Sequence, residues 1–398
     1  MIFTRLRFTN LCAFTDAEVN LSYPRQLANS PLDDEYLHGR SKFYYRKVCI
    51  VTGANASGKT SLGRMIFGLQ TFLFSKNLPI AAFPINNKSE HASFEADFAT
   101  EDFLHHRIFV KFKADRTGTY IINEIKYASV FIGENDSCTK TTKKLDSEFD
   151  GYNRKKAINY FYGISSGDHS VNLEEFKKIT FSAGWYYLLS ETKETTDEIT
   201  GIDKKILEQV MKTFDPSIKS VSELKETQIN NGVEQEILSG FSIRFQNNDP
   251  VIVTNSGEVA NYNRLSRGTY DAVKISLFVS AIQTDYLESE LNDNNTGMVY
   301  FLDERMAYVH SELERAIVTL IISKLPINGQ FFYTTHNSDI FKLDLPIHSF
   351  VFLKKEHDST VFVDASTILK KNDRNLSKYV ENDIFGVLPD LSPVEALI

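Results

Sequence analysis

Gly53-Ala54-Asn55-Ala56-Ser57-Gly58-Lys59-Thr60 is the stretch whose residue types and spacing point most directly to chemistry. Glycines at its first and sixth positions, followed by Lys and Thr, let the backbone curl so that N–H groups converge on phosphate oxygens. Lys59 would reach the β and γ phosphates, and Thr60 would offer its hydroxyl to Mg²⁺. Gly53, Asn55, Ser57, Gly58, Lys59 and Thr60 are therefore the candidate contacts of a nucleoside triphosphate.

Four later stretches add chemistry. Val299-Tyr300-Phe301-Leu302 runs into Asp303-Glu304, where Asp303 would be an oxygen ligand for Mg²⁺ and Glu304 would orient and deprotonate an attacking water. Phe331 to Thr335 runs into His336, either a contact of the γ-phosphate or a surface histidine. Leu265-Ser266-Arg267-Gly268-Thr269 precedes an apolar-faced helix. Ser266 can cap that helix, and Gly268 lets a phosphate approach its N–H groups. His310, at the start of a further helix, reads as a helix-start contact.

These groups need elements to carry them. Val48 to Val51 is an apolar run with strand character, and Leu62, Met65, Ile66 and Leu69 recur at helical spacing after the loop. The order is strand, loop, helix. Residues 1 to 22 read as a β-hairpin that sets Ile2, Leu6 and Phe8 against Ala17, Val19 and Leu21. The polar stretch with Pro24, Pro31 and Asp33-Asp34-Glu35 reads as a surface loop. Phe94–Phe98, Ile108–Phe112, Tyr120–Ile122 and Tyr127–Ile132 read as four strands of an antiparallel meander, with a turn at Asp115 to Gly118. Ile199 to Phe214 reads as a helix, and Phe241–Phe245 with Val251–Val253 as a hairpin.

From Glu134 to about Leu189 the sequence turns polar, with Lys143-Lys144, Arg154-Lys155-Lys156 and the aromatics Tyr160, Phe161 and Tyr162. It is either a solvated insertion or a surface for nucleic acid or a protein partner. The expected domains are 1–133, an N-terminal lobe with the loop and an antiparallel β subdomain; 134–230, a mainly helical insertion; and 231–398, a C-terminal lobe. No heptad run indicates long coiled-coil arms.

Composition bounds the class. The chain has 398 residues, 42% hydrophobic and 24% charged, as in ordinary globular proteins. Its net charge of −8 argues against a general nucleic-acid binder, though not against a local basic patch. Cys12, Cys49 and Cys138 are too widely spaced to form a metal or disulfide pattern, which fits a reducing cytoplasm. No unbroken apolar run reaches membrane-spanning length.

The phosphate loop with Asn55, then LSRGT at Leu265 to Thr269, then Asp303-Glu304, then a strand ending at His336, together resemble the ATP-binding-cassette (ABC) superfamily. Within it the chain is similar to the branch that includes RecF, the SMC-like proteins and the overcoming-lysogenization-defect (OLD) ATPases. Asn10-Leu11-Cys12-Ala13-Phe14 is similar to that branch's N-terminal pattern. Tyr379-Val380-Glu381-Asn382-Asp383-Ile384-Phe385-Gly386 resembles the C-terminal signature of small OLD-like defence ATPases. Ala56 stands where the branch has glycine, and no Gln from Thr71 to Glu208 can be its switch glutamine, leaving Glu124 or a water for that role.

The resemblance implies an α/β, P-loop ABC-type ATPase head with a mixed central sheet, an antiparallel β subdomain and no long coiled coil. It implies ATP and Mg²⁺ as cofactors, Lys59, Thr60 and Asp303 as their holders, Glu304 as base and His336 as γ-phosphate switch. Ser266 and Gly268 would close on the ATP held by a second copy, in a head-to-tail dimer or higher oligomer. The expected function is a cytoplasmic ATPase, slow and regulatory, that senses or scaffolds in bacterial anti-phage defence, like those of Septu, PARIS or retron systems. It would control a separate effector, a nuclease. The alternatives are a RecF-like clamp on duplex DNA and a scaffold cemented by ATP without hydrolysis.

Overall fold

The structure, a computed structural model, describes residues 1–24, 30–150, 176–190, 203–230, 233–254, 258–260, 265–292, 295–307, 309–369, 376–388, 392–395 and 397. In chain order its strands and helices begin with β1 (Ile2–Leu11), β2 (Phe14–Asn20), β3 (Tyr36–Leu37), β4 (Arg40–Tyr44), β5 (Val48–Gly53) and α1 (Lys59–Ser75). Then come β6 (Ala92–Ala99), β7 (Leu104–Ala114), β8 (Tyr120–Phe131), α2 (Cys138–Asp150), β9 (Gly184–Leu188) and α3 (Lys204–Phe214). The order continues with β10 (Ile218–Asn230), β11 (Val233–Phe245), β12 (Pro250–Thr254), α4 (Arg267–Asn292), β13 (Met298–Asp303) and α5 (Ser311–Ser323). It closes with β14 (Gly329–Thr335), β15 (Phe350–Glu356), β16 (Ser359–Asp364), α6 (Ala365–Ile368), α7 (Leu376–Glu381) and α8 (Ser392–Glu395).

Contacts group the chain into two units. The first comprises Met1–Trp185, Asn295–Asp303 and Ile327–Ile398, and the second Tyr186–Asn294 and Glu304–Pro326.

In the first unit, β15, β5, β14 and β13 lie side by side and parallel, with β16 added antiparallel at the β15 edge. Val48 to Val51 are buried throughout, as expected for a parallel strand covered on both faces. The second sheet of this unit is antiparallel, in the order β2-β1-β6-β7-β8. The N-terminal hairpin pairs Leu6 with Val19 and Phe8 with Ala17. The α/β class with a mixed central sheet and an antiparallel β subdomain is thus the one the sequence implied. Among the described residues the longest helix is α4, of 26 residues, and none is long and apolar enough to cross a membrane.

Two local readings need correction. The four strand runs are three strands, because Tyr120–Ile122 and Tyr127–Ile132 belong to one strand, β8. Its register steps from Glu124 to Ile122 opposite Lys111 and Phe112, so Asn123 is bulged without ending the strand. The stretch before β5 is also more than a surface loop. Glu35 is buried with its carboxylate 2.7 Å from His348 Nε2, and Tyr23 stacks on that imidazole at 4.3 Å. The turn at Asp115 is as expected: its Oδ1 accepts from Thr117 and Thr119 N–H groups, and Gly118 takes φ +87°.

In the second unit, α3 packs on α4. Asp203 caps α3, accepting from the Ile206 N–H at 2.9 Å, and Asp215 ends it. Strands β10, β11 and β12 form an antiparallel sheet. The β11–β12 hairpin was expected, with Asn248 at φ 63° in its turn. The long β10–β11 hairpin was not, because its strands carry exposed Glu and Lys in place of a clean apolar alternation; Lys225 and Glu236 pair across it at 3.3 Å. In the stretch 134–230 the described residues hold α2, β9, α3 and β10. The cluster of Arg154, Lys155, Lys156, Tyr160, Phe161 and Tyr162 lies outside the described residues. Lys144, with Lys140, is committed to Asp136, which holds that carboxyl below its usual range.

Candidate nucleotide site

Strand β5 ends at Gly53, and the chain turns sharply there. A Cβ on Gly53 would sit 2.5 Å from the Leu353 carbonyl oxygen and 2.7 Å from Ser57 Oγ, so only glycine fits. Ala56 at φ 60° and Gly58 at φ 97° both take left-handed backbone, returning the chain into α1. The expected glycine at position 56 thus has a conformational reason, and Ala56 adopts the required backbone at a cost of about 1 kcal/mol. Helix α1 begins after Gly58 with no side-chain cap and no acidic residue in its first turn, which leaves its amino end suited to an anion.

Two of the loop's polar side chains are buried. Ser57 is 1% exposed, and its hydroxyl has no hydrogen-bond partner among the described residues. Lys59, 5% exposed, points its ammonium back into the loop, donating to the carbonyls of Gly53 at 2.9 Å and Ala54 at 3.2 Å. A buried hydroxyl left unsatisfied costs free energy that a ligand oxygen would recover. The residues present therefore fit a bound phosphate chain.

Parallel pairing brings the other groups to the same sheet end. Thr335 lies opposite Thr52, so His336 follows at the level of Gly53. Thr334 lies opposite both Val51 and Asp303. Asp303 is fully buried at the end of β13, and Thr334 Oγ1 donates to its Oδ1 at 2.6 Å. His336 is exposed, beyond the end of β14. A cavity of about 320 Å³ opens beside the first half of the loop, with Asn55 and His336 among its lining residues. The first unit thus holds Gly53, Asn55, Ser57, Gly58, Lys59, Thr60, Asp303 and His336. Among the described residues no three His, Cys, Asp or Glu side chains form a metal cluster. A Mg²⁺ held by one hydroxyl, one carboxylate and phosphate oxygens needs no such cluster.

Glu304, Ser266 and Gly268 belong to the second unit. Glu304 takes φ 47°, an uncommon conformation for a non-glycine residue and one that clusters at functional sites. Its neighbour Arg305 donates to the Leu189 carbonyl at 2.6 Å and pairs with Asp271 at 3.3 Å. Burial raises the Asp271 carboxyl above its ordinary range despite that arginine. Ser266 caps α4 as expected, accepting from the Thr269 N–H at 3.1 Å, while Thr269 Oγ1 donates to Asp215 at 3.0 Å. Among the described residues a Cβ on Gly268 would meet only Ser266 Oγ, at 3.9 Å, so their packing does not demand glycine there. His310 caps α5, its Nδ1 accepting from the Glu312 N–H at 3.4 Å. Glu124 is ion-paired with Lys126 at 3.3 Å on the edge strand β8.

Sequence reasoning left the C-terminal segment out of the site. Val380, Val387 and Leu388 line the same cavity as Gly53 and Asn55, and the only signal near them is the resemblance of Tyr379 to Gly386 to the C-terminal signature of small OLD-like ATPases.

No protein-family model matches the chain, and no curated protein matches its sequence. Among solved structures it is similar to the SmcHead bound to the C-winged helix domain of ScpA, at 13% identity over 91% of this chain and 97% of that one, TM-score 0.44. It is similar to the SMC head domain from Thermotoga maritima, at 12% identity over 92% and 99%, TM-score 0.38. It is also similar to the recombination mediator RecF-ATPrS of the RecFOR pathway, at 11% identity over 91% and 98%, TM-score 0.42.

Proposed function

We propose that this chain is an ABC-type ATPase that binds ATP with Mg²⁺ and hydrolyses it slowly. The observation that carries this reading is the convergence of Lys59, Asp303 and His336 at one end of β5, β13 and β14, around a loop whose buried Ser57 hydroxyl awaits a partner. Thr60 and Asp303 would hold the Mg²⁺, which when bound would neutralise charge developing on the phosphates. Lys59 would leave the loop carbonyls for the β and γ phosphates. Glu304 would take the proton of the attacking water, and His336 would contact the γ-phosphate.

In this reading Ser266 and Gly268 of a second copy complete the site, so ATP holds a head-to-tail dimer and its hydrolysis releases it. The dimer senses or scaffolds for a separate effector, a nuclease, in anti-phage defence. Support comes from the room beside Gly268 among the described residues and from the resemblance of the motif set to the small OLD-like ATPases.

Nucleotide titration and size-exclusion chromatography test the proposal together. Glu304→Gln should trap an ATP-dependent dimer while phosphate release falls by about 100-fold or more, and Lys59→Ala should form no such dimer. Equal, negligible phosphate release from wild type and Glu304→Gln would leave a non-hydrolysing scaffold. Recovery of a nuclease from the natural host with the trapped dimer supports the defence role; recovery of replication or repair proteins alone overturns it.

A further inference from the structure

The segment Tyr379 to Gly386 stands out in the sequence, and the nucleotide reading gives it no task. It shares a cavity with the loop. One cavity of about 320 Å³ is lined by Gly53, Asn55 and His336 and also by Val380, Val387 and Leu388. The turn Ser338–Lys342 follows His336 almost immediately. Its Phe341 ring lies 5.7 Å from both Phe350 and Phe352, and Phe352 stacks at 4.3 Å on Phe385 of the tail. Helix α7 packs on the same turn.

The tail is itself locked into a hook. Asp383, at φ 50°, accepts from the N–H groups of Val387 at 2.7 Å and Leu388 at 3.0 Å. The Ile384 N–H donates to the Tyr379 carbonyl at 3.0 Å. Gly386 takes φ +64°, and a Cβ there would come within 3.0 Å of Lys354 Cε. So many specific constraints distinguish this segment from a frayed terminus.

We propose that the hook 376–388 is a positioning element for His336, clamping the turn after it so that the imidazole meets the γ-phosphate as charge develops there. This rests on the ATPase reading above. Lys59 and the loop N–H groups supply ground-state binding without the tail, whereas a displacement of about 1 Å in a reacting geometry can cost about 100-fold in rate. Loosening the hook should therefore lower kcat and spare KM.

Steady-state phosphate release over a range of ATP concentrations tests this on the full chain, with Lys59→Ala as the blank. Phe385→Ala should lower kcat by about 10-fold or more with KM within about twofold, and the apolar replacement Phe385→Leu should recover most of it. Asp383 is exposed, and Asp383→Ala removes the acceptor of the Val387 and Leu388 N–H groups, so it should hardly move the melting temperature while lowering kcat several-fold; it decides the matter if Phe385→Ala does not fold. Unchanged kcat in the variants, or KM rising in step with the loss, overturns the positioning role while the ATPase reading stands. Absence of phosphate release by the wild type overturns both.

Discussion

Two polar regions of the first unit treat buried charge in opposite ways. In the antiparallel sheet, Asp97 is fully buried between Arg107, at 2.7 and 2.8 Å, and Arg5, at 3.1 Å. Burial opposes its ionisation, yet the two guanidinium groups hold its carboxyl below the ordinary range. Nearby, His105 lies between Thr4 and Thr141, and His106 between Thr100 and Tyr127. Each of these side chains is satisfied from within the fold. At the phosphate loop, by contrast, Ser57 Oγ has no partner among the described residues and Lys59 rests on main-chain carbonyls. Saturated polar clusters stabilise; the unpartnered Ser57 hydroxyl and the left-handed backbone at Ala56 are the features on which the proposed nucleotide site rests.

That contrast can be broken by mutation. The largest effect on stability should come from Asp97→Ala, which takes the shared carboxylate from buried Arg107 and half-buried Arg5, leaving them Asp146 and Glu95, and should cost about 3 kcal/mol in denaturant unfolding. ATP affinity of the folded fraction should stay within about twofold. Lys59→Ala should do the reverse: nucleotide affinity falls about 100-fold, some 2.7 kcal/mol, while the unfolding midpoint hardly moves. If Lys59→Ala destabilises as severely as Asp97→Ala, the distinction between the regions fails.

Acid titration sharpens the same comparison. Burial lowers the pKa of His105 to about 4 and of His106 to about 3, so both are neutral in the folded sheet while the unfolded chain takes up protons near pH 6.5. Their contribution is fully present above pH 6.5 and is lost as the pH falls towards 4 and 3, at up to about 1.4 kcal/mol per pH unit for each histidine. Denaturant midpoints measured from pH 7.5 down to 4.5 should show this decline, and a flat profile would contradict it. The smallest effect belongs to Ala56→Gly. Relief of left-handed backbone strain should raise stability by about 1 kcal/mol at most, partly offset by the greater freedom of glycine in the unfolded chain.

What could be read directly was local. The loop, its preceding strand and its following helix are contiguous, so apolar periodicity and two glycines reveal them; the same holds for Ser266 capping α4 and for the N-terminal hairpin. The β10–β11 hairpin escaped because Glu223, Lys225, Glu226, Glu234 and Glu236 leave much of it exposed, with too little apolar alternation to announce a strand. The split of β8 into two runs failed for a related reason: a single bulged Asn123 interrupts the alternation without ending the pairing.

By itself the sequence determined the local geometry of the loop 53–60, because turn chemistry and helix initiation depend on neighbouring residues. Tertiary structure alone decided that Asp303 arrives at the level of Val51 and His336 at that of Gly53, since that follows from the register of parallel strands distant in the chain. It also decided that the tail forms a wall of the same cavity, because the stacking of Phe385 on Phe352 and the packing of α7 on the turn after His336 are long-range contacts that no local pattern encodes.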